Sequence, residues 1–154
     1  MPDKMESFFE AQLREWTTAR DNHEALAQVW SRELTSTKLP TALRVQCNPA
    51  RIVSTGASID KASIAARPCF LCAANRPKEQ RGMALNEGFE WLVNPFPILP
   101  QHFTIPTRRH TPQSIYSLFR TMRRMAWDMK GYIIFYIGPL CGASCPVHMH
   151  LQAG

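Results

Sequence analysis

The segment GPLCGASCPVHMHLQAG, residues 138–154, predicts a β-strand with polar side chains at every second position. Alternate side chains of a strand share a face, so His148, His150 and Gln152 are expected to point the same way. The apolar residues between them are expected to point into the core: Val147, Met149 and Leu151. The loop before the strand contains small residues, which allow a phosphate to approach backbone N–H groups. The segment therefore predicts a polar site beside an anion-binding loop.

The spacing of the two histidines fits more than one chemistry. His148 and His150 together can bind one catalytic metal ion. Alternatively, one neutral imidazole can attack phosphorus and carry a covalent adduct. A pair of surface histidines on an edge strand is the third interpretation, and the spacing alone does not choose among the three.

A second motif lies upstream in RPCFLCAANRP, residues 67–77, where Cys69 and Cys72 have the spacing of two zinc ligands. Cys141 and Cys145 would complete an all-cysteine site, whereas His110 and His148 would complete a mixed one. Thioredoxin-like redox chemistry is less favoured than zinc, because no βα pattern surrounds the motif, and two reduced core cysteines are the remaining alternative to a metal. The chain has five cysteines, and an odd number argues against a disulfide framework.

The hydrophobic pattern predicts an α+β fold, with an antiparallel sheet, one covering helix and a helical N-terminal arm. Apolar residues at helical spacing predict helix over residues 5–34, for which we expect no catalytic role. The linker at 34–40 divides the chain into an arm, residues 1–40, and a catalytic domain, residues 41–154.

The remaining elements follow from local signals. Thr111 followed by Pro112 predicts the start of the covering helix, and Gly131 predicts its end. Apolar and β-branched runs predict one or two strands in 42–55, and single strands at 89–93, 102–106, 132–137 and 147–152. A turn is expected at 86–88 and a loop at 56–68.

The net charge of +6 is unevenly distributed along the chain. Residues 1–40 carry −2 and residues 41–154 carry +8, which suits a phosphate-bearing partner. Arg108, Arg109 and the basic residues of 76–81 are candidates to attract phosphates. Nucleic acid is a less favoured partner, because no RNA-binding pattern of interleaved aromatic residues is present.

The sequence also indicates where in the cell the protein is expected. No apolar run reaches the roughly 20 residues of a transmembrane helix, so no membrane partner is expected. The N-terminus lacks the apolar core of a secretory signal, which predicts a cytoplasmic protein.

Three stretches together resemble the histidine-triad (HIT) superfamily: RPCFLCAANRP, VNPFPILPQHFTIPTRRHTP (93–112) and CGASCPVHMHLQAG (141–154). They are most similar to its nucleotidyltransferase branch, which includes galactose-1-phosphate uridylyltransferase, diadenosine tetraphosphate phosphorylase and GDP-L-galactose phosphorylase. In that branch glutamine replaces the third histidine, as Gln152 does here. The resemblance covers about residues 67–154.

The resemblance implies a role for each matching residue. His150 would be the nucleophile, and Gln152 would hydrogen-bond the transferred phosphoryl group. A structural zinc ion would be held by Cys69, Cys72, His110 and His148. The phosphate would contact the loop of Gly142, Ala143 and Ser144, and the base and ribose would lie against Asn94, Phe96 and Pro97. His102 is expected to be a structural residue beside the site, and His23 a solvated helix residue.

The implied activity is that of a nucleotidyltransferase or phosphorylase acting on a nucleoside-diphosphate sugar or a dinucleotide. A covalent nucleotidyl-histidine would pass its nucleotide to phosphate or a sugar phosphate. Relatives commonly pair, so a homodimer is expected. The alternatives are a nucleotide hydrolase of the same fold and a zinc-stabilised, non-catalytic nucleotide-binding module.

The chain departs from this pattern at two points. Ile137 stands where relatives usually carry asparagine, which predicts weaker activity. The sequence also stops two residues after Gln152, whereas larger relatives continue. The segment would then be a minimal core, a truncated fragment, or a domain completed by a second chain.

Overall fold

The main sheet of the computed structural model has five antiparallel strands. They are β3 (Gly82–Ala84), β4 (Glu90–Val93), β5 (Phe103–Pro106), β6 (Ile134–Phe135) and β7 (His150–Ala153). Their order across the sheet is β3-β4-β5-β7-β6, which places β7 between β5 and β6. The structure describes residues 2–38, 40–56, 58–85, 88–141 and 143–154.

Three of the described helices, α1 (Pro2–Glu15), α2 (Thr17–Glu24) and α5 (Phe119–Asp128), contribute to the apolar cluster on one face of this sheet. The others are α3 (Ile52–Thr55) and α4 (Lys61–Ala66), with short 3-10 turns at Ala25–Gln28, Pro49–Arg51 and Ala73–Asn75. The Phe9 ring of α1 meets Phe103 of β5 edge to face, with the ring centres 5.5 Å apart. Met125 and Met129 join the same apolar cluster from α5 and the residue just beyond it. The α+β class with an N-terminal helical arm is therefore confirmed. None of the described helices is long and apolar enough to cross a membrane.

The two faces of the sheet differ in chemistry, as strand alternation requires. Met149 and Leu151 lie in the main apolar cluster together with Phe103 and the arm. Thr104 and Gln152 are directly paired across β5 and β7 and therefore share the opposite face. Val147, which was predicted to point into the core, is instead 38% exposed because the chain is still in a turn there.

A two-stranded hairpin lies apart from the main sheet. β1 (Trp30–Leu34) pairs antiparallel with β2 (Leu43–Cys47), and all ten residues are exposed. The predicted helix over 5–34 is therefore wrong in its last part. The 3-10 turn at Ala25–Gln28 ends the arm, after which the chain extends to pair with β2. The hairpin joins segments on either side of residue 40, and the domain division there stays a prediction.

Side-chain caps explain two further differences from the sequence expectation. The single strand in 42–55 ends at Cys47, because the Asn48 side chain accepts a hydrogen bond from the N–H of Ala50 and starts a helical turn. The loop expected at 56–68 contains α4, whose N-terminus is capped by Asp60 accepting from the N–H of Ser63 at 2.9 Å. Of the predicted turn at 86–88, residues 86 and 87 lie outside the described residues.

The covering helix is shorter than predicted. It begins at Phe119 rather than near Pro112, because the segment before it is used to extend the hydrogen bonding of β7. The carbonyl of Thr111 accepts from the N–H of Met149 at 2.7 Å. The strands predicted at 132–137 and 147–152 are likewise reduced to β6 and β7.

Candidate functional site

A cluster of four potential metal ligands lies at one end of β7: Cys69, Cys72, His110 and His148. Their ligand atoms all lie within 4.8 Å of one another. His148 Nδ1 is 3.3 Å from Cys69 Sγ, and His110 Nδ1 is 3.3 Å from Cys72 Sγ. Ligands at the corners of a tetrahedral zinc site are separated by about 3.3–3.8 Å, so this arrangement fits the ion. The group could hold a metal, and it matches the mixed alternative considered from the sequence.

The tautomer of His148 suits ligation. Its Nε2 lies 2.8 Å from the carbonyl oxygen of Thr107. Because a carbonyl can only accept, Nε2 carries the proton and the lone pair of Nδ1 faces the two sulfur atoms. The ring is fully buried, and burial lowers the pKa of His148, which favours the neutral form that binds metals.

The two remaining candidate cysteines lie differently. Cys145 Sγ is 3.6 Å from Cys69 Sγ but is not a member of the four-residue cluster. Burial raises the pKa of the Cys145 thiol to about 12, so it remains protonated and can donate to the Cys69 sulfur. Cys141 is exposed in the turn that follows Gly138. The geometry thus favours the site with two histidines over the all-cysteine alternative.

His150 is placed one pleat further along β7, beside a cavity of about 280 Å³. Its Nδ1 lies 2.8 Å from the carbonyl oxygen of His148, so Nδ1 carries the proton and donates it. Among the residues that the structure describes, none hydrogen-bonds Nε2, so its lone pair is available. The ring is buried, and that burial lowers its pKa, which keeps it neutral. A neutral imidazole with a fixed tautomer, lining a cavity, has the properties of a nucleophile.

Gln152 lines the same cavity and is held by His102. His102 Nδ1 accepts from the N–H of Ile98 at 3.1 Å, so its other nitrogen, Nε2, must carry the proton. That Nε2–H donates to Gln152 Oε1 at 2.8 Å. Since this bond occupies the oxygen, the amide NH₂ of Gln152 remains to act as a donor in the site. Desolvation by burial lowers the pKa of His102 to about 4, so the ring is neutral near pH 7.

Only some of the other residues predicted to contact the substrate line this cavity. Asn94, Phe96, Ala143 and Ser144 line it. Asn94 uses its own side chain to shape the turn, donating to Thr104 Oγ1 and accepting from the N–H of Phe96. Pro97 is buried and is not among the described lining residues; its carbonyl accepts from Asn48. Gly142 lies outside the described part of the chain.

Sequence reasoning missed several residues that line the cavity. Trp16 comes from the arm, which was expected to have no catalytic role, and Phe70 comes from the turn between the two cysteines. The arm also supports another part of the cavity lining, because His23 Nε2 donates to the carbonyl of Asn94 at 3.0 Å. His23 is therefore not the solvated residue predicted. The sequence carried no signal that placed Trp16 at the site, because its apolar ring fits the helical pattern of the arm equally well.

The cationic lining of the cavity also differs from expectation. Arg51 is the one arginine or lysine among the described residues that line it. Its positive charge is near enough to His102 to contribute to lowering the pKa of that ring. Arg108 and Arg109, the candidates from the sequence, are exposed on the loop after β5. Arg76, from the basic segment 76–81, forms a buried ion pair with Glu90 at 2.7 Å.

Comparison with solved structures finds the same fold in yeast Ap4A phosphorylase Apa2, a HIT-like protein. Its complex with AMP matches with a TM-score of 0.55 and 20% identity, over 93% of this chain and 48% of that one. Its complex with Ap4A matches with a TM-score of 0.55 and 22% identity, over 89% of this chain and 50% of that one. The chain therefore spans about half the length of these structures. At this level of identity, the likeness establishes the fold.

Comparisons by sequence add a family. No curated protein matches the chain. One family model, described as a domain of unknown function (DUF4922), matches residues 8–154, which include the arm, the cysteine motif and β7. The chain therefore belongs to the DUF4922 family.

Proposed function

We propose that this domain is a nucleotidyltransferase or phosphorylase that forms a covalent nucleotidyl-histidine at His150. The observation that carries the proposal is the fixed imidazole of His150, with its Nδ1–H bonded to the His148 carbonyl and its ring at the cavity. His150 Nε2 attacks the α-phosphorus of a nucleotide. The N–P bond forms as the P–O bond to the leaving group breaks, and the leaving group takes the electron pair.

The second half-reaction reverses the first. An oxygen of inorganic phosphate or of a sugar phosphate attacks the same phosphorus, and the N–P bond breaks to return the neutral ring. Because no proton on Nδ1 has to move, the carbonyl of His148 can stabilise the positive charge that develops on the ring in both steps. The leaving group would be a phosphate or a sugar phosphate.

Groups near His150 can stabilise the negative charge on the phosphoryl oxygens. The NH₂ of Gln152 is oriented by His102, and Arg51 supplies a positive charge at the same cavity. Ala143 and Ser144 come from the small-residue loop, whose Ser144 carbonyl is held by Arg67 at 2.9 Å. Donors that are held in place before reaction are effective in phosphoryl transfer.

The rest of the cavity suits a nucleoside. Three aromatic side chains, Trp16, Phe70 and Phe96, provide apolar surface for a base. The solved complexes of the yeast phosphorylase with AMP and Ap4A support a nucleotide ligand for this fold. We expect the residues that line the cavity to determine the specificity for the base, the sugar and the acceptor.

The cluster of four potential metal ligands would hold the site together without taking part in the reaction. We assign Cys69, Cys72, His110 and His148 to a structural zinc ion, which would tie two separate segments, the cysteine turn and the loop after β5, to the start of β7. His150 does not belong to the cluster, and its Nδ1 is already bonded to a carbonyl. This arrangement argues against a catalytic metal shared by the two histidines.

A non-catalytic nucleotide-binding module is the second candidate, and the observation that favours it is Ile137. Its side chain lines the cavity beside His150, where an apolar group offers no hydrogen bond to a ribose or phosphate. Such a module would bind nucleotides at the same walls and form no adduct.

The test is intact-mass spectrometry after incubation with a panel of sugar nucleotides and dinucleotides. We expect an added mass of one nucleotide, stable in base, lost in acid and absent from His150→Ala. His110→Ala serves as the reciprocal control, because it should lose metal but not the nucleophile, whereas His150→Ala should keep about one zinc per chain. Binding without any adduct would instead identify the non-catalytic module.

The requirement for an acceptor distinguishes a transferase or phosphorylase from a hydrolase of the same fold. Turnover that requires added phosphate or sugar phosphate identifies a phosphorylase or transferase. Equal turnover in their absence would identify a hydrolase, with water as the acceptor.

A further inference from the structure

A glutamine side chain is inserted between β6 and β7 at the level of His150. The register pairs Ile134 with Ala153 and Phe135 with Gln152, so the same ladder, continued for two more residues, would pair Ile137 with His150. The direct pairing stops before that point. Gln113 takes its place: its Oε1 accepts from the N–H of His150 at 2.8 Å, and its Nε2 donates to the carbonyl of Ile137 at 2.9 Å.

The position of Gln113 between these two backbone segments requires an amide side chain. Gln113 Nε2 also lies 3.3 Å from the carbonyl of His150, so Gln113 contacts both backbone groups of that residue. Only an amide of this length offers an acceptor toward His150 and a donor toward Ile137 at once. The residue is 7% exposed, and a buried amide without partners would be costly, so these bonds fix its position.

The chain on both sides of Gln113 is arranged for this contact. Thr107 and Thr111 bond the backbone of Met149 from either side, through the Thr107 N–H and the Thr111 carbonyl. Gln113 then continues this row of contacts to the next residue, His150. The segment is therefore held along the start of β7 instead of forming the helix that its sequence predicts.

We propose that Gln113 is a positioning residue that sets the backbone of His150, and so the direction of its ring, for the transfer described above. The inserted amide keeps the segment after β6 one side chain away from β7, where both Ile137 and His150 line the cavity. Gln113 is not among the described lining residues and contacts His150 only through its backbone. It acts on the nucleophile and not on the substrate, and the inference rests on the proposed function.

Two substitutions test this role against a matched control. Gln113→Met preserves length and removes every hydrogen bond, whereas Gln113→Glu keeps an acceptor for the His150 N–H. Gln12→Met is the control, because Gln12 is an equally buried glutamine that bonds two backbone groups, Glu79 and Arg81, away from His150. The readouts are the single-turnover rate of adduct formation, the Kd for AMP, the unfolding midpoint and hydrogen exchange at the His150 amide.

The rates are expected to fall in the order wild type, Gln113→Glu, Gln113→Met. The Gln113→Met rate should fall by about 100-fold, the cost of a misplacement of roughly 1 Å. Its Kd for AMP should change by less than about threefold, with faster exchange at the His150 amide. Gln12→Met should lose stability but keep its rate at saturating nucleotide. Equal rate losses in the Gln113→Met and Gln12→Met variants would reduce Gln113 to a structural residue and overturn the proposal.

Failure of the proposed function gives a different result. In that case the wild type itself forms no adduct with any nucleotide, and the catalytic role of Gln113 is overturned with it. Exchange at the His150 amide still decides whether Gln113 holds the strand. Unchanged exchange at that amide in Gln113→Met would remove that role as well. If Gln113→Met proves poorly folded, Gln113→Glu carries the test, because losing the donor to the Ile137 carbonyl should still speed exchange at the His150 amide, and unchanged exchange there overturns the role.

Discussion

At the scale of single residues, backbone carbonyls decide the chemistry of the histidines. His148 and His150 each donate one ring N–H to a carbonyl, but from opposite nitrogens: Nε2 in His148 and Nδ1 in His150. The free lone pair is consequently Nδ1 in the first ring and Nε2 in the second. One faces the cysteine sulfurs and the other is left for the cavity, so two identical side chains two residues apart receive different roles.

Gln152→Glu is expected to slow adduct formation by about 100-fold or more, the scale of losing one donor to a developing oxyanion. The substitution keeps an acceptor for His102 but replaces the NH₂ donor by a negative charge near the phosphoryl oxygens. Single-turnover mass spectrometry measures the rate. Gln46→Glu, which adds the same charge on the exposed hairpin, should leave it unchanged, and a similar loss there would point to a general charge effect.

His102 predicts a pH dependence of stability. Its pKa is lowered from 6.5 to about 4 in the folded protein, so the unfolded chain binds the proton more tightly. The free energy of unfolding should therefore fall as pH drops from 6.5 to 4, with this residue contributing on the order of 3 kcal/mol. Urea titrations across that range measure it.

His102→Asn supplies the control for this dependence. It removes the titrating group while offering an acceptor to Ile98 and a donor to Gln152, so its stability should change less with pH than that of the wild type. An identical slope in both proteins would show that His102 is not the group responsible.

At the scale of elements, the arm is part of the site. Trp16 is buried at the junction of α1 and α2 and lines the cavity. Asn22 and His23 of α2 bond the carbonyls of Pro95 and Asn94, on a turn that also lines the cavity. The arm therefore contributes a side chain to the cavity and also holds this turn in place.

Trp16→Ala should destabilise the fold by about 3–5 kcal/mol, the usual cost of truncating a buried aromatic residue. It should also weaken nucleotide binding, because a wall of the cavity is removed. Denaturant unfolding and calorimetric titration with AMP measure the two effects. Trp30→Ala on the exposed hairpin is the matched control and should cost less than about 0.5 kcal/mol. A loss of stability without a loss of affinity would place Trp16 outside the binding surface.

The sequence predicted the elements whose signal is local. Alternation along β7 put Met149 and Leu151 in the core and His150 and Gln152 on the other face. The Cys-x-x-Cys motif supplied two ligands of the four-residue cluster, and the choice of His110 and His148 came from the resemblance to the HIT superfamily. Prediction from the sequence failed where distant contacts override local preference. Thr111 and Pro112 have the sequence pattern of a helix start. No helix begins there, because the Thr111 carbonyl accepts a hydrogen bond from the N–H of Met149 instead. Trp16 and Gln113 could not be placed at the site, because only the packing of the arm and the register of β7 bring them there.

At the scale of the whole molecule, the site depends on segments that are far apart in sequence. The cysteine turn, the loop after β5 and the start of β7 meet at the metal cluster, and Cys145 links that cluster to the loop beside the cavity through its contact with Cys69. The exposed hairpin stands outside this arrangement, with Trp30, Leu34, Leu43 and Val45 open to solvent. The homodimer expected from the resemblance stays a prediction.

Removal of the metal should lower the Tm by more than about 10 °C, since structural zinc supplies several kcal/mol and each kcal/mol moves Tm by roughly 2–4 °C at this size. Thermal unfolding with and without a chelator measures the effect, together with zinc content. Cys72→Ser should reproduce it, whereas Cys141→Ser, which alters an exposed thiol, should not. A chelator-insensitive Tm would show that the four residues hold no structural ion.

The alternation of β7 ties core and chemistry to a single register. A slip of one residue would turn Met149 and Leu151 toward the cavity and drive two imidazoles into hydrocarbon. The apolar packing that fixes the core therefore also fixes the direction of His150, and mutations that loosen the apolar side of this strand should reduce the proposed adduct formation before the fold is lost.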